Sequence, residues 1–168
     1  MVNATYSENS VMVKLIEKES LYTEGMFYEI RLTSRYLTLM GNQAFEKLNF
    51  PISFEEYLIL DIIAYNENIC NRDLAKMLLR DRSNIGKITF SLEEKKLIDI
   101  TPDKRNNRSI KKLKITNSGI TLCNEMYTKL SPYMEIMNKA IKKEEQKIIS
   151  KTLQKCRKIL DEIVETQI

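Results

Sequence analysis

The stretch from Cys70 to Gly119, CNRDLAKMLLRDRSNIGKITFSLEEKKLIDITPDKRNNRSIKKLKITNSG, constrains the fold more than any other part of the chain. Its pattern predicts two short amphipathic helices, Asn71–Leu79 and Asp81–Lys96, then an apolar strand, Leu97–Thr101. A polar, basic tip, Pro102–Ser109, leads to a second strand, Ile110–Ile115. Helix, helix, strand, tip, strand is the order of a helix-turn-helix followed by a wing. In that arrangement the second helix can enter a DNA major groove while the tip reaches the backbone or minor groove alongside.

The charge is concentrated in the same place. Residues 70–114 hold 13 Lys and Arg against 6 Asp and Glu, a net +7, whereas the whole chain is only +4. The remainder therefore sums to −3. A local basic field is what phosphate neutralisation requires. The charge alone fits a solvated basic face equally well, and it is the order of elements that favours double-stranded DNA as the partner.

Around this lobe the sequence is mostly helical, with only 4 Gly and 3 Pro in 168 residues. Residues 1–10 are polar and predicted to fray, and Val11–Tyr22 carries a modest helical pattern. Met26, Ile30, Thr33, Leu37, Met40, Ala44 and Leu48 recur at threes and fours, one stripe on a helix of about 22 residues that ends before Pro51. Ser53-Phe54-Glu55-Glu56 is a capping box opening a helix that is apolar on several sides, a central support. Ile69 and Cys70 read as a short strand or lead-in.

Within the motif, Leu74, Ala75, Met77 and Leu78 form the predicted inner face of the first helix, and Asp81 caps the second. Ile85, Ile88, Thr89, Leu92 and Leu97 then face the core, leaving Arg82, Ser83, Asn84, Lys87 and Ser91 outward. Such residue types hydrogen-bond base edges and phosphates. Arg72 on the first helix, and Lys104, Arg105, Asn107 and Arg108 at the wing tip, complete the expected DNA-facing set.

Beyond Thr116, a predicted N-cap, a long stripe runs through Ile120, Cys123, Met126, Leu130, Met134, Met137 and Ile141, with Pro132 expected to kink it. A polar break at Lys142–Glu145 precedes a heptad stripe, Ile149, Leu153, Cys156, Leu160 and Ile163. An intramolecular core is one reading of these stripes. Three long helices around so small a lobe would leave an apolar face uncovered, however, and a homodimer would cover it. The expected interface residues are Met26, Ile30, Leu37, Ile149, Leu153, Cys156, Leu160 and Ile163. The division of the chain is then 1–50 and 117–168 for N- and C-terminal dimerisation helices, with the winged lobe at 51–116.

The sequence disfavours several classes of function. With no histidine it lacks His-based catalytic triads and the commonest metal ligand. The three cysteines, Cys70, Cys123 and Cys156, show no metal-ligand spacing and imply no disulfide framework. Their plain reading is small buried hydrophobes. No glycine-rich nucleotide cradle is present. No catalytic residue, metal or cofactor is expected. No apolar run reaches a membrane span, and the first 25 residues lack a signal peptide's apolar centre, so the expected location is cytoplasmic.

DLAKMLLRDRSNIGKITFSLEEKKLI, PDKRNNRS, KITNSG and SFEEYLIL together resemble the MarR (multiple-antibiotic-resistance regulator) family of bacterial transcription factors, over about Phe27 to Ile163. The resemblance implies a mainly α fold with a small β-hairpin wing, a homodimer built from the terminal helices, and a winged lobe on each side. It places Arg82, Ser83, Asn84 and Lys87 in the groove and Arg105 and Arg108 on the wing. It implies a transcriptional regulator, expected to be a repressor, that answers a small molecule such as an aromatic carboxylate. The expected pocket residues are Tyr36, Met40, Tyr57 and Met126, for which plain core packing is the alternative. Two departures stand out: the family's paired arginines at the tip are here Asn107-Arg108, and no cysteine lies between Met26 and Leu48, where the redox-sensing branch keeps one. The competing readings are a winged-helix protein-interaction module and a cysteine-based redox regulator of the same fold.

Overall fold

The structure, a computed structural model, describes residues 25–67, 69–105 and 108–164. The predicted helix at Val11–Tyr22 and the frayed residues 1–10 lie outside the described residues, as does Asn107. Six helices and one hairpin follow in order: α1 Met26–Lys47, α2 Phe54–Tyr65, α3 Asn71–Leu78, α4 Arg82–Glu94, β1 Ile98–Arg105, β2 Arg108–Ile115, α5 Asn117–Ala140 and α6 Lys143–Ile163. The fold is mainly helical with a two-stranded antiparallel wing, as expected. The chain divides into two compact units, Met1–Lys47 and Leu48–Ile168. In the first, α1 has 22 residues, and Gly41, Ala44 and Phe45 near its end are buried.

The second unit is built around α2, which touches β2, α4 and α5. Its start is fixed by both halves of the capping box: Ser53 Oγ accepts from the Glu56 amide at 3.1 Å, and the Ser53 amide donates to Glu56 Oε2 at 2.7 Å. Ile59, Leu60 and Ile63 from α2, Leu74 and Ala75 from α3, and Ile85, Thr89 and Leu92 from α4 are all buried. Ile98 and Leu113 from the wing base and Met126 from α5 close the same core. Each such large apolar side chain contributes about 1.5–3 kcal/mol on burial. Ile69 and Cys70 add a short third edge: Ile69 O accepts from Leu113 N at 2.9 Å, and Cys70 pairs with Lys112.

Several expectations need correction. Met77 was expected on the inner face of α3 but is 56% exposed. The eight-residue helix buries only Leu74 and Ala75, too narrow a stripe to include it. Met77 instead borders an open cleft of about 560 Å³ with Leu79, Leu160 and Val164. The wing strands are longer than predicted. Pairing runs from Ile98↔Ile115 to Arg105↔Arg108 and includes Pro102↔Lys111. A two-stranded ribbon is all edge, so a proline without an N–H does not end it. The polar break is also shorter, because Lys142 already donates its amide to Glu145 Oε2 at 2.8 Å and so starts α6. The acidic pair Glu144-Glu145 suits the positive end of that helix. Helix α5 continues through Pro132.

The entry to α5 is tightly jammed. Thr116 caps it, with Oγ1 accepting from the Gly119 amide at 3.0 Å and donating to Lys96 O at 2.8 Å. A Cβ on Gly119 would stand 2.3 Å from Leu97 O and 2.7 Å from Ile115 Cγ1. Backbone contact this close leaves no room for any side chain. Gly119→Ala should therefore push α5 off the wing base and destabilise the protein by about 1–3 kcal/mol, read as a lower melting temperature by circular dichroism. An unchanged melting temperature would show that the α5–wing junction yields freely.

Candidate nucleic-acid interface

Helix α4 is oriented by its buried face. Ile85, Thr89 and Leu92 are buried, which turns the opposite stripe, Ser83, Lys87 and Phe90, to solvent; Arg82, at the first position of the helix, is also exposed. Asn84 is half-buried beside that stripe. Asp81 caps the helix as predicted: Oδ1 accepts from the Ser83 amide at 2.7 Å and the Asn84 amide at 3.3 Å. These bonds hold its carboxyl below the usual aspartate range. They also occupy two amides that could otherwise bind an anion at the helix start.

Ser91 was expected to face outward and does not. Its hydroxyl donates to Glu56 Oε1 at 2.7 Å, across 35 residues, and Lys95 Nζ binds the same oxygen at 2.6 Å, across 39. Glu56 is buried, and an enclosed carboxylate needs donors. Ser91, one position before the buried Leu92, supplies one. The Glu56 carboxylate thus caps α2 with one oxygen and holds the last turn of α4 with the other. Burial pulls its pKa up, but the bonds from Lys95, the Ser53 amide and Ser91, with the Lys95 charge, outweigh this and leave it below the usual range.

A second carboxylate anchors the wing. Asp73 Oδ2, on the first turn of α3, accepts from Arg105 Nη1 at 2.8 Å and from the Cys70 amide and thiol, both at 3.1 Å. Burial opposes ionisation of Asp73, but the bonds from Cys70 and Arg105 prevail, so its pKa is lowered. Arg105, expected to meet phosphate, therefore also ties the wing to the first motif helix. Asp81 was expected to reach Arg108, whose side chain lies outside the described residues; a wing anchor runs between Arg105 and Asp73. Arg108 is placed by its backbone alone, opposite Arg105. Lys104 is exposed near the tip and Arg72 is half-exposed on α3.

The MarR family model matches residues 52–110, the stretch that carries α2, the helix-turn-helix and most of the wing. That stretch of the chain is therefore similar to the MarR family. A comparison with curated protein sequences gives no match. Among solved structures, the transcriptional regulator SlyA is similar over 82% of this chain and 94% of its own, with TM-score 0.68 and 22% identity. S. aureus MepR in complex with DNA matches over 84% of this chain and 99% of its own, with TM-score 0.65 and 22% identity. A putative MarR family regulator from Listeria monocytogenes, complexed with a 26mer DNA, covers 82% of this chain and 89% of its own, with TM-score 0.69 and 22% identity. At these identities the likeness is one of fold: mainly helical, with a two-stranded wing. SlyA and the Listeria protein are described as transcriptional regulators.

The remaining expected residues fall in both units. Tyr36 is 64% exposed and Met40 half-buried on α1; Met126 on α5 is fully buried, and Tyr57 on α2 is half-buried. Burial, with Asp61 nearby, pushes the Tyr57 phenol up to about 12. The same surroundings push the Cys123 thiol up to about 11. Of the expected interface residues, Met26, Leu37, Ile149, Leu160 and Ile163 are exposed, and Ile30, Leu153 and Cys156 are half-buried. No helix among the described residues is long and apolar enough to cross a membrane.

The Glu56 bonds generate a test with a definite sign. Because its folded pKa lies below the unfolded value of about 4.3, the stabilisation is complete above that value and is lost as pH falls through the folded pKa. Glu56→Ala should cost about 1–3 kcal/mol near neutral pH, since it strands Ser91 and uncaps α2. Glu56→Gln should flatten the loss of stability on acidification below about pH 5. Urea melts at a series of pH values measure both, and a Gln variant with the wild-type pH profile would remove the carboxylate from this role.

Proposed function

We propose that this chain is a homodimeric repressor that binds a near-palindromic operator through α4 and the wing, and that a small molecule such as an aromatic carboxylate weakens that binding. The observation that carries the reading is the solvent-facing stripe of Ser83 and Lys87, with Arg82 exposed in the first turn, on a helix whose other face is locked into the core. Arginine can grip guanine O6 and N7 with two bonds, and asparagine can grip adenine N6 and N7. Arg82, Ser83 and Asn84 occupy the first turn, the part that reaches base edges in helix-turn-helix docking. Lys104, Arg105, Asn107 and Arg108 on the wing, with Arg72 on α3, meet the backbone or a narrow minor groove and position the lobe. The DNA complexes of MepR and of the Listeria regulator support this reading.

The dimer is supported by α6. None of its residues is buried, yet Ile149 and Leu160 on its heptad stripe are 49% and 46% exposed. A second copy would cover that stripe, and two lobes would then present two reading helices to half-sites about one DNA turn apart. Effector binding by Tyr36, Met40, Tyr57 and Met126 is the reading preferred over a redox switch. A thiol with a pKa near 11 is a poor nucleophile, which counts against Cys123 as a sensor.

Two outcomes are expected. Arg82→Ala or Asn84→Ala should change which operator variants bind, by about 1–3 kcal/mol at one base pair. Lys104→Ala should weaken all variants alike and flatten the log–log salt dependence by up to about 0.9 per lost phosphate contact. Fluorescence anisotropy against operator variants at several salt concentrations separates the two. A change of base preference in Lys104→Ala alone would reverse the roles of helix and wing. Charged residues at Leu153 and Leu160 should yield monomers by light scattering; a folded, unchanged dimer would place the interface elsewhere.

A further inference from the structure

The outer stripe of α4 does not end at Lys87. Phe90 stands on it, three residues beyond Lys87 and seven beyond Ser83, and is 57% exposed. By helix rise it lies about 4.5 Å past Lys87 and about 10 Å past Ser83 along the axis. The helix cannot roll to bury it, because Ile85, Thr89 and Leu92 occupy the core on the other side. Single exposed apolar side chains are ordinary on protein surfaces. Phe90 differs because the side chains aligned with it, Ser83 and Lys87, are a hydroxyl and a cation turned the same way.

We propose that Phe90 is a specificity-determining residue that reads a thymine through its 5-methyl group in the major groove. The inference rests on the DNA-binding reading of α4 and adds a base contact of a different chemistry to it. A phenyl ring has no donor or acceptor, so it cannot discriminate by hydrogen bonds, and set against a polar base edge it would strip that edge of water without replacing the bond. The one apolar group on the major-groove edge of the base pairs is the thymine methyl, and phenylalanine is among the side chains suited to it. Arg82 and Lys87 supply the positive charge that draws the duplex to this stripe. Glu94, one turn beyond and exposed, would repel a phosphate, so Phe90 is the last member of the stripe suited to DNA.

The test removes the methyl and nothing else. Duplexes bound by the wild-type protein are first selected from a random pool. Each thymine of a selected duplex is then replaced singly by deoxyuridine. At one thymine per half-site the replacement should weaken wild-type binding about fourfold, the worth of one buried methyl. The same replacement should leave Phe90→Ala unchanged, and Phe90→Leu should keep part of the sensitivity. An unaltered melting temperature for both variants shows that the fold is intact, as expected for an exposed position. If no thymine is methyl-sensitive in the wild type, or if Phe90→Ala is equally sensitive, the assignment of Phe90 is overturned while DNA binding stands, and the ring then belongs to a protein contact. If the wild type selects no duplex at all, the DNA reading falls and this one with it.

Discussion

Helix α4 is tied to the rest of the core by one long-range carboxylate, Glu56. Packing of Ile85, Thr89 and Leu92 sets which face of α4 is inward, but apolar contacts are non-directional and tolerate small rotations. The Glu56 bonds to Ser91 and Lys95, at 2.7 and 2.6 Å, are directional and sit at the far end of α4 from its cap. With Asp81 fixing the first turn and Glu56 the last, the helix is constrained at both ends. Glu56 is itself fixed, because its other oxygen is the return half of the Ser53 capping box. Local capping and long-range positioning are thus done by the same side chain, and the orientation of α4 is inherited from the start of α2.

The wing is held by the same kind of arrangement. Asp73 receives the Cys70 amide and thiol and the Arg105 guanidinium on one oxygen. Arg105 and Asp73 are both partly exposed, so solvent and salt screen the pair and its contribution to stability is small. Its consequence is geometric: a long ribbon anchored only at its base would swing, whereas one pinned near its tip to α3 keeps its angle. Gly119 does the complementary work at the base, where the backbone of Leu97 comes too close for any side chain.

The local signals in the sequence were legible. The caps at Ser53, Asp81 and Thr116, the long stripe of α1 and the order helix, helix, strand, strand all depend on residues within a few positions of one another. What was not legible depended on partners far along the chain. Glu56 reads fully as a capping residue, and nothing nearby reveals that Ser91 and Lys95 will meet it. Ser91, a small polar residue beside a basic stripe, was accordingly placed outward. The Asp73–Arg105 pair was missed for the same reason. Met77 was placed inward because an eight-residue helix gives too few turns to fix the width of its buried face. The stretch from Pro102 reads as a tip because it is polar and basic, and Pro102 is harmless within β1 because, among the described residues, that strand pairs only with β2.

The charge distribution joins these devices to encounter with a duplex. The +7 of residues 70–114 and the −3 of the rest are set apart along the chain, and the positive part lies in the lobe that holds α4 and the wing. Such a field acts over roughly a Debye length, about 8–10 Å at moderate salt, so it orients the lobe toward phosphate before any base is touched. It carries no sequence information, since every duplex presents the same phosphates. Discrimination must come from groups that act only at contact, and the two amides at the helix start are already spent on Asp81. That leaves side chains of the α4 stripe, a cation, a hydroxyl and a ring, each suited to a different feature of a base edge. On the proposed reading they would act in register because the helix that carries them is fixed at both ends.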